Sequence, residues 1–269
     1  MTYELPAAPL SIGGVLDSAI RLYRDSIRRT LVVALLYSAV LFGFGLVFAV
    51  AMGKGGVTPN KDPRQVFAFL RSPVVMGGMV IAMLVSIALY GALFKTLSTW
   101  AQSGQSLSLG DALAVGVRRL PTVVLGIIVS ALAIAVGFVL LVIPGLYLIG
   151  KFPLWVAAVF VDDVSAMEGL RRSWRLTRGR WWRGAVIITV ALIMIYVFGL
   201  AFGLLAGAIG VLAHLSLVGT QVVSQLFSAI SNIVVLPMFA SILIVMYHDF
   251  KLRDEGGDLA ARMGALDKA

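Results

Sequence analysis

The side chains able to do chemistry in this sequence are few, and their types point to holding charge rather than to breaking bonds. The densest group is Ser165–Gly184, SAMEGLRRSWRLTRGRWWRG, with six arginines, three tryptophans and one glutamate. A guanidinium is charged at any physiological pH and grips phosphate or carboxylate through a planar fork of donors. Its partner is therefore an anion: a nucleic acid, an acidic substrate or the surface of a membrane. Asp162 and Asp163 stand just before this group as paired carboxylates. Acids at that place also suit the positive end of a helix starting at Ser165, and that is the reading adopted. His214 and His248 are the two histidines, and neither has a His, Cys or acid at metal-ligand spacing in its segment. There is no cysteine, hence no thiolate chemistry, and that fits a reducing compartment. No nucleophile elbow, phosphate loop or dinucleotide fingerprint occurs. The expectation is a protein that is not an enzyme and carries no metal or cofactor.

Three further groups carry polarity or shape into apolar surroundings. Lys151 lies in GLYLIGKFPLW, with Pro153 close behind. An ionisable group in such a stretch is a functional-site candidate by default; the alternative is that its stem snorkels toward the outer interface. Gln221, Gln225, Ser228 and Asn232 recur at spacings of four, three and four, so they share one helix face. They serve either as hydrogen-bonding glue between helices or, together with Lys151, as the lining of a polar path. Gly199, Gly203 and Gly207 repeat every four residues and let another helix approach closely. Packing within the chain is the first reading of that stripe, and pairing with a second copy the next.

The elements that must position these groups follow from composition. Of the 269 residues, 60% are hydrophobic and 13% charged, against roughly 25% charged in a soluble domain. A bilayer core takes about 20 apolar residues in helix. Six segments meet or approach that length: Leu31–Met52, Pro73–Ala101, Pro121–Ile143, Gly145–Val161, Gly184–Leu212 and Val222–Tyr247. Helices are expected, because open backbone cannot face lipid. The fourth span is short, and Pro144–Gly145 suggests a partly re-entrant segment. Seventeen of the 22 Lys and Arg fall on one side of the resulting bundle, four on the other, and Lys151 within. Basic loops stay in the cytoplasm, so both termini are expected there. No basic region leads into a short apolar core at the start, so the N-terminus is expected to be retained. On the opposite side, DPRQVFAFLRS predicts a short helix with Asp62 as cap, Pro63 at its first position, and Phe67 and Phe69 facing lipid or a partner.

SIGGVLDSAIRLY from Ser11, SLGDALAVGVRRL from Ser108 and SAMEGLRRSWRLT from Ser165 share a register. Small or apolar residues recur one, four, five, eight and nine positions after each serine, which is one face of a helix. The tenth position is Arg21, Arg118 or Arg175. Asp111 and Glu168 add a capping-box pattern to the second and third copies. Each copy precedes two apolar spans, so the expected architecture is an all-α integral membrane protein of six transmembrane helices. It is a single membrane domain over 1–269, built as three repeats of amphipathic helix plus hairpin (1–107, 108–164, 165–250) with a tail, 251–269. The alternative is that any amphipathic helix feeding a hairpin looks alike. The helices are expected to lie in the interface plane, with Trp174, Trp181 and Trp182 at headgroup level. Arg21, Arg24, Arg118, Arg171, Arg172, Arg175 and Arg178 would then meet anionic lipid. The expected partners are the bilayer and its anionic lipids, with a membrane protein or second copy besides. Nucleic acid is not expected, since no binding module accompanies the charge.

PLSIGGVLDSAIRLYRDSIRRTL, VIPGLYLIGKFPLWVAAVFVDDVSAMEGLRRSWRLTRGRWWR and YHDFKLRDEGGDL resemble the membrane domain found beside some bacterial glycerophosphoryl diester phosphodiesterases. They are similar also to stand-alone six-helix inner-membrane proteins of unknown function. The resemblance implies a multi-pass protein of the bacterial cytoplasmic membrane. It implies no phosphodiesterase activity, because that catalytic domain is a separate barrel. The function expected is an accessory, scaffold or lipid-organising role, the alternative being a permease for a small or amphiphilic solute with a path near Lys151 and Asn232.

Overall fold

The computed structural model describes residues 3–54 and 63–266, and within them the chain is helical without a strand. Nine helices follow in order: α1 (Ile12–Lys54), α2 (Pro63–Leu70), α3 (Pro73–Ser103), α4 (Leu109–Leu140), α5 (Val142–Lys151), α6 (Trp155–Val161), α7 (Ala166–Leu176), α8 (Trp181–Leu212) and α9 (Leu217–Leu266). Among the described residues six helical stretches are long and apolar enough to cross a membrane, the fourth being α5 and α6 taken together. The chain therefore has the makings of a multi-pass membrane protein.

Two of the three expected amphipathic helices are not separate elements. The first runs without a break into the first span as α1, and the second into the third span as α4, through Pro121. Pro121 removes one N–H but is exposed and leaves the helix continuous, as prolines in spanning helices commonly do. Only the third stands alone, as α7, ended by the Thr177–Arg180 turn with Gly179 at φ 72°. All three serines cap: Ser11, Ser108 and Ser165 Oγ each accept the N–H three residues on, from Gly14, Asp111 and Glu168. The shared register also has a shared orientation. The fourth and eighth positions are buried in every copy (Val15 and Ala19, Ala112 and Gly116, Gly169 and Ser173). The ninth (Ile20, Val117, Trp174) and the arginine at the tenth are exposed in every copy. The apolar stripe is thus divided, its centre packed on protein and its edge turned outward.

α9 is the central helix. It packs along α1 and α8 and also touches α3, α6 and α7. Its Ala240–Tyr247 stretch is fully lined by protein, and Tyr247, Met246 and Phe250 are among the most buried large side chains, with Phe94, Leu97 and Phe160. Phe94 and Phe160 hold α3 to α6 with ring centroids 5.6 Å apart. The α3–α4 contact needs Gly116, because a Cβ there would strike the Ala88 carbonyl oxygen on α3. The predicted short helix is α2; Phe69 packs edge-on against Phe48 at 5.3 Å, while Phe67 is exposed. Asp62, its expected cap, lies outside the described residues.

Substituting Gly116→Ala should therefore lower the thermal midpoint in detergent, by overpacking of about 1–3 kcal/mol. Gly203→Ala, where an added Cβ meets nothing within 4 Å, should leave the midpoint unchanged or raise it. Differential scanning fluorimetry of the two purified variants checks the contrast.

Candidate functional site

At the arginine-rich end of the bundle, carboxylates gather cations from distant parts of the chain. Asp162, at the end of α6, accepts from Arg172 Nη1 on α7, from the Tyr247 hydroxyl (2.6 Å) and from Lys251 Nζ (3.3 Å). Asp163 turns the other way, to Lys95 Nζ at 3.2 Å and Arg119 Nη2 at 3.0 Å. The two adjacent acids thus turn apart and serve separate cations. The hydroxyl of Tyr247 first, then Asp162 and Glu168, hold the Arg172 guanidinium above its already high ordinary pKa. It is permanently charged and committed to protein.

Asp249 is the most enclosed of these acids, its side chain 1% exposed. One oxygen receives Arg183 (Nη2 at 2.9 Å) and Arg253 (Nε at 3.1 Å), and the other receives the Leu10 N–H at 2.7 Å. The same two arginines donate back to the Leu10 carbonyl, each at 2.5 Å. Together with His248 donating to the Pro6 carbonyl at 2.9 Å and the Tyr3 N–H donating to Asp25 at 2.9 Å, this straps residues 3–10 across the end of α9 and α1. Asp25 also receives Trp100 Nε1 at 2.9 Å, and the Arg29 guanidinium lies 3.4 Å over the Trp100 ring.

The expected lipid-contact residues now divide. Arg24, Arg118, Arg171 and Arg178, with Arg28 beside them, are exposed and have no side-chain partner among the described residues. Arg21 and Asp17 form a pair open to solvent on both sides, 72% and 60% exposed, of a kind that contributes little. Arg175 approaches Asp254 at 3.6 Å and stays 64% exposed. Arg172 is the exception, already engaged by Asp162 and Glu168. Of the tryptophans, Trp182 is 76% and Trp174 42% exposed. Trp181 instead donates to the Tyr147 carbonyl at 2.9 Å and stacks on that ring at 5.8 Å, tying α8 to α5.

Lys151 is 2% exposed and does not point to the outer side. Its ammonium donates to the Thr177 carbonyl at 3.3 Å and lies 5.2 Å from the Tyr147 and Trp174 ring centroids. Ser173 Oγ donates to the Lys151 carbonyl at 2.7 Å and receives the Leu154 N–H at 3.2 Å. A cation at the C-terminal carbonyls of α7 meets the negative end of that helix. Lys151 is the cap that fixes α7 to the α5–α6 break, on the arginine-rich end. It is not beside the polar stripe.

The stripe itself lines a cleft between α9 and α1. Gln221, Gln225, Ser228 and Asn232 face Leu41, Phe42, Phe44, Gly45 and Phe48, with Met79 of α3, around a cavity of about 380 Å³. None of the four polar side chains has a hydrogen-bond partner among the described residues. Gly45 is the close approach that admits Gln225, since a Cβ there would lie 2.6 Å from its Oε1. At Gly199, Gly203 and Gly207 an added Cβ meets nothing within 4 Å. The packing within the chain expected of that stripe is absent among the described residues, because α9 packs on another face of α8. Sequence reasoning passed over Asp249, Asp25, Ser173 and Gly45. An acid in YHDFK, at the end of an apolar span, was the one visible sign of the first.

Residues 73–249 match the family described as Domain of unknown function (DUF7847). In comparisons with curated proteins and with solved structures, nothing matches. Neither this match nor the other comparisons confirm the phosphodiesterase-associated membrane domain that the motifs resemble.

Replacing Asp249→Asn should leave two largely buried arginines without their anion, at a cost of about 3–5 kcal/mol. The thermal midpoint should fall, and limited proteolysis should cut within residues 3–10 under conditions where the parent chain resists. Asp17→Asn, at the exposed pair, should change neither.

Proposed function

The chain belongs to the DUF7847 family, and on that premise we propose that it is a non-enzymatic multi-pass membrane protein that organises anionic lipid at its arginine-rich end. One observation carries this reading. Each of the three amphipathic segments leaves at least one arginine exposed and without a side-chain partner: Arg24 and Arg28 in the first, Arg118 in the second, Arg171 and Arg178 in the third. The acids at this end, among them Asp17, Asp162, Asp163, Glu168, Asp249 and Asp254, are taken up by other cations. What stays unpaired is therefore available to anions from outside the chain. Exposed Trp174 and Trp182 beside them suit the boundary between headgroups and hydrocarbon.

The three segments with a common cap, buried positions and exposed arginine support a threefold duplication with its axis along the membrane normal. The excess of basic residues at this end supports a cytoplasmic position for both termini, and the motifs that resemble phosphodiesterase-associated domains support a bacterial inner membrane. A permease is the second reading, favoured by the cavity that Asn232 lines. It is the weaker one, because Lys151, the other half of the expected path, is consumed as the cap of α7.

Each basic residue near an anionic leaflet contributes about 1 kcal/mol. A variant with Arg24, Arg118, Arg171 and Arg178 all changed to Gln should hold phosphatidylglycerol at least tenfold more weakly, read by native mass spectrometry of protein released from mixed micelles. Unchanged retention would sink the proposal. Arg172→Gln should instead destabilise the fold.

A further inference from the structure

The amide-lined cleft asks for a different occupant from the arginine-rich end. From Gln221 to Asn232 the stripe descends α9 by eleven residues, about 16 Å of helix, or half of a bilayer core of roughly 30 Å. Gln221 and Ser228 are exposed at its mouth, and Gln225 and Asn232 are partly buried behind them. Primary amides without partners at such depth are unfavourable, and this chain presents two beside a space large enough to hold a group that would satisfy them. That group is neutral. No Asp, Glu, Lys, Arg or His lines the cleft, and an ion placed there would lose its hydration with no counter-charge.

The cleft does not end at its polar wall. Leu41, Phe44 and Met79 are shared with a second cavity of about 460 Å³ between α1, α3, α4 and α6. That second wall is apolar apart from Tyr37, Ser86 and Tyr90, and the buried Ser86 hydroxyl has no partner. A compartment rich in uncharged donors and acceptors thus adjoins one shaped for hydrocarbon. Both lie along the spanning parts of α1 and α3, where the surrounding molecules are lipids.

We infer that this paired cavity binds a membrane amphiphile whose head is uncharged and hydrogen-bonding, of the diacylglycerol class. Its hydroxyl and ester oxygens meet Gln225, Ser228 and Asn232, and one acyl chain passes Phe44 and Met79 into the second compartment. Selection comes from the missing charge: the arginine-rich end takes phosphate-bearing heads, and the cleft rejects them.

The test uses the full chain reconstituted in phosphatidylcholine vesicles. A diacylglycerol with a photoactivatable acyl chain is compared with phosphatidylglycerol carrying the same chain, and crosslinked residues are mapped by peptide mass spectrometry. Diacylglycerol should label the α1 and α9 walls and Met79, and excess unlabelled diacylglycerol should abolish that labelling. In the Gln225→Leu, Asn232→Leu double variant, which removes both amides, labelling of these walls should fall at least tenfold. Phosphatidylglycerol labelling near the free arginines should be unaffected. Three results would each overturn the inference: labelling spread evenly over lipid-facing α8, labelling of the cleft by phosphatidylglycerol as strong as by diacylglycerol, or labelling of the parent chain that unlabelled diacylglycerol does not displace. The last is read without any variant, so it stands even where the double substitution fails to fold.

Discussion

A charge at the edge of a hydrocarbon slab must lie either in water or against its opposite, and this constraint organises the arginine-rich end. Asp249, enclosed by α8, α9 and the N-terminal segment, is met there by both Arg183 and Arg253. The Leu10 peptide completes the arrangement by giving its N–H to the acid and its carbonyl to both arginines. Three parts of the chain separated by up to 243 residues are fixed by one side chain. Asp162 does the same for α6, α7 and α9. The basic residues that such acids do not take are those left at the surface, so the exposed charge is what remains after internal pairing.

How much of this was legible in the sequence depends on the range of the interaction. Apolar runs and their lengths are local, so six spanning stretches could be read directly. Caps are local too, and Ser11, Ser108 and Ser165 all bond as their spacing predicts. Continuity was misread for a local reason. Neither a glycine pair nor a polar turn separates Arg29 from Leu31, so amphipathic and spanning segments share one helical backbone in α1. Pro121 looked like a boundary, but its one missing donor does not end α4.

The partners of Lys151 lay beyond such reading. Pro153 in GLYLIGKFPLW marks the break between α5 and α6, but nothing there says that a helix beginning fifteen residues later returns to present its last carbonyls to the ammonium. The same holds for the polar stripe. Its common face follows from spacing, but the absence of any answering polar group on α1 does not. That wall is Phe42, Phe44, Gly45 and Phe48, and it leaves the amides without the cross-helix bonds that glue would make.

The interior between the two polar regions is where the two proposed functions differ in what they need. Below Asn232, α9 carries Val235, Met238, Ala240 and then an unbroken buried run to Tyr247, packed against α1, α3 and α8. Lys151 is sealed by Tyr147, Trp174 and Thr177 on the far side of that run. Beyond the cleft and the apolar compartment beside it, close-packed side chains lie between these cavities and Lys151, and interiors packed to that density leave few voids as large as a water molecule. The same packing separates the exposed arginines from the amide cleft, so the phosphate contacts proposed for the one and the neutral head proposed for the other would use different groups.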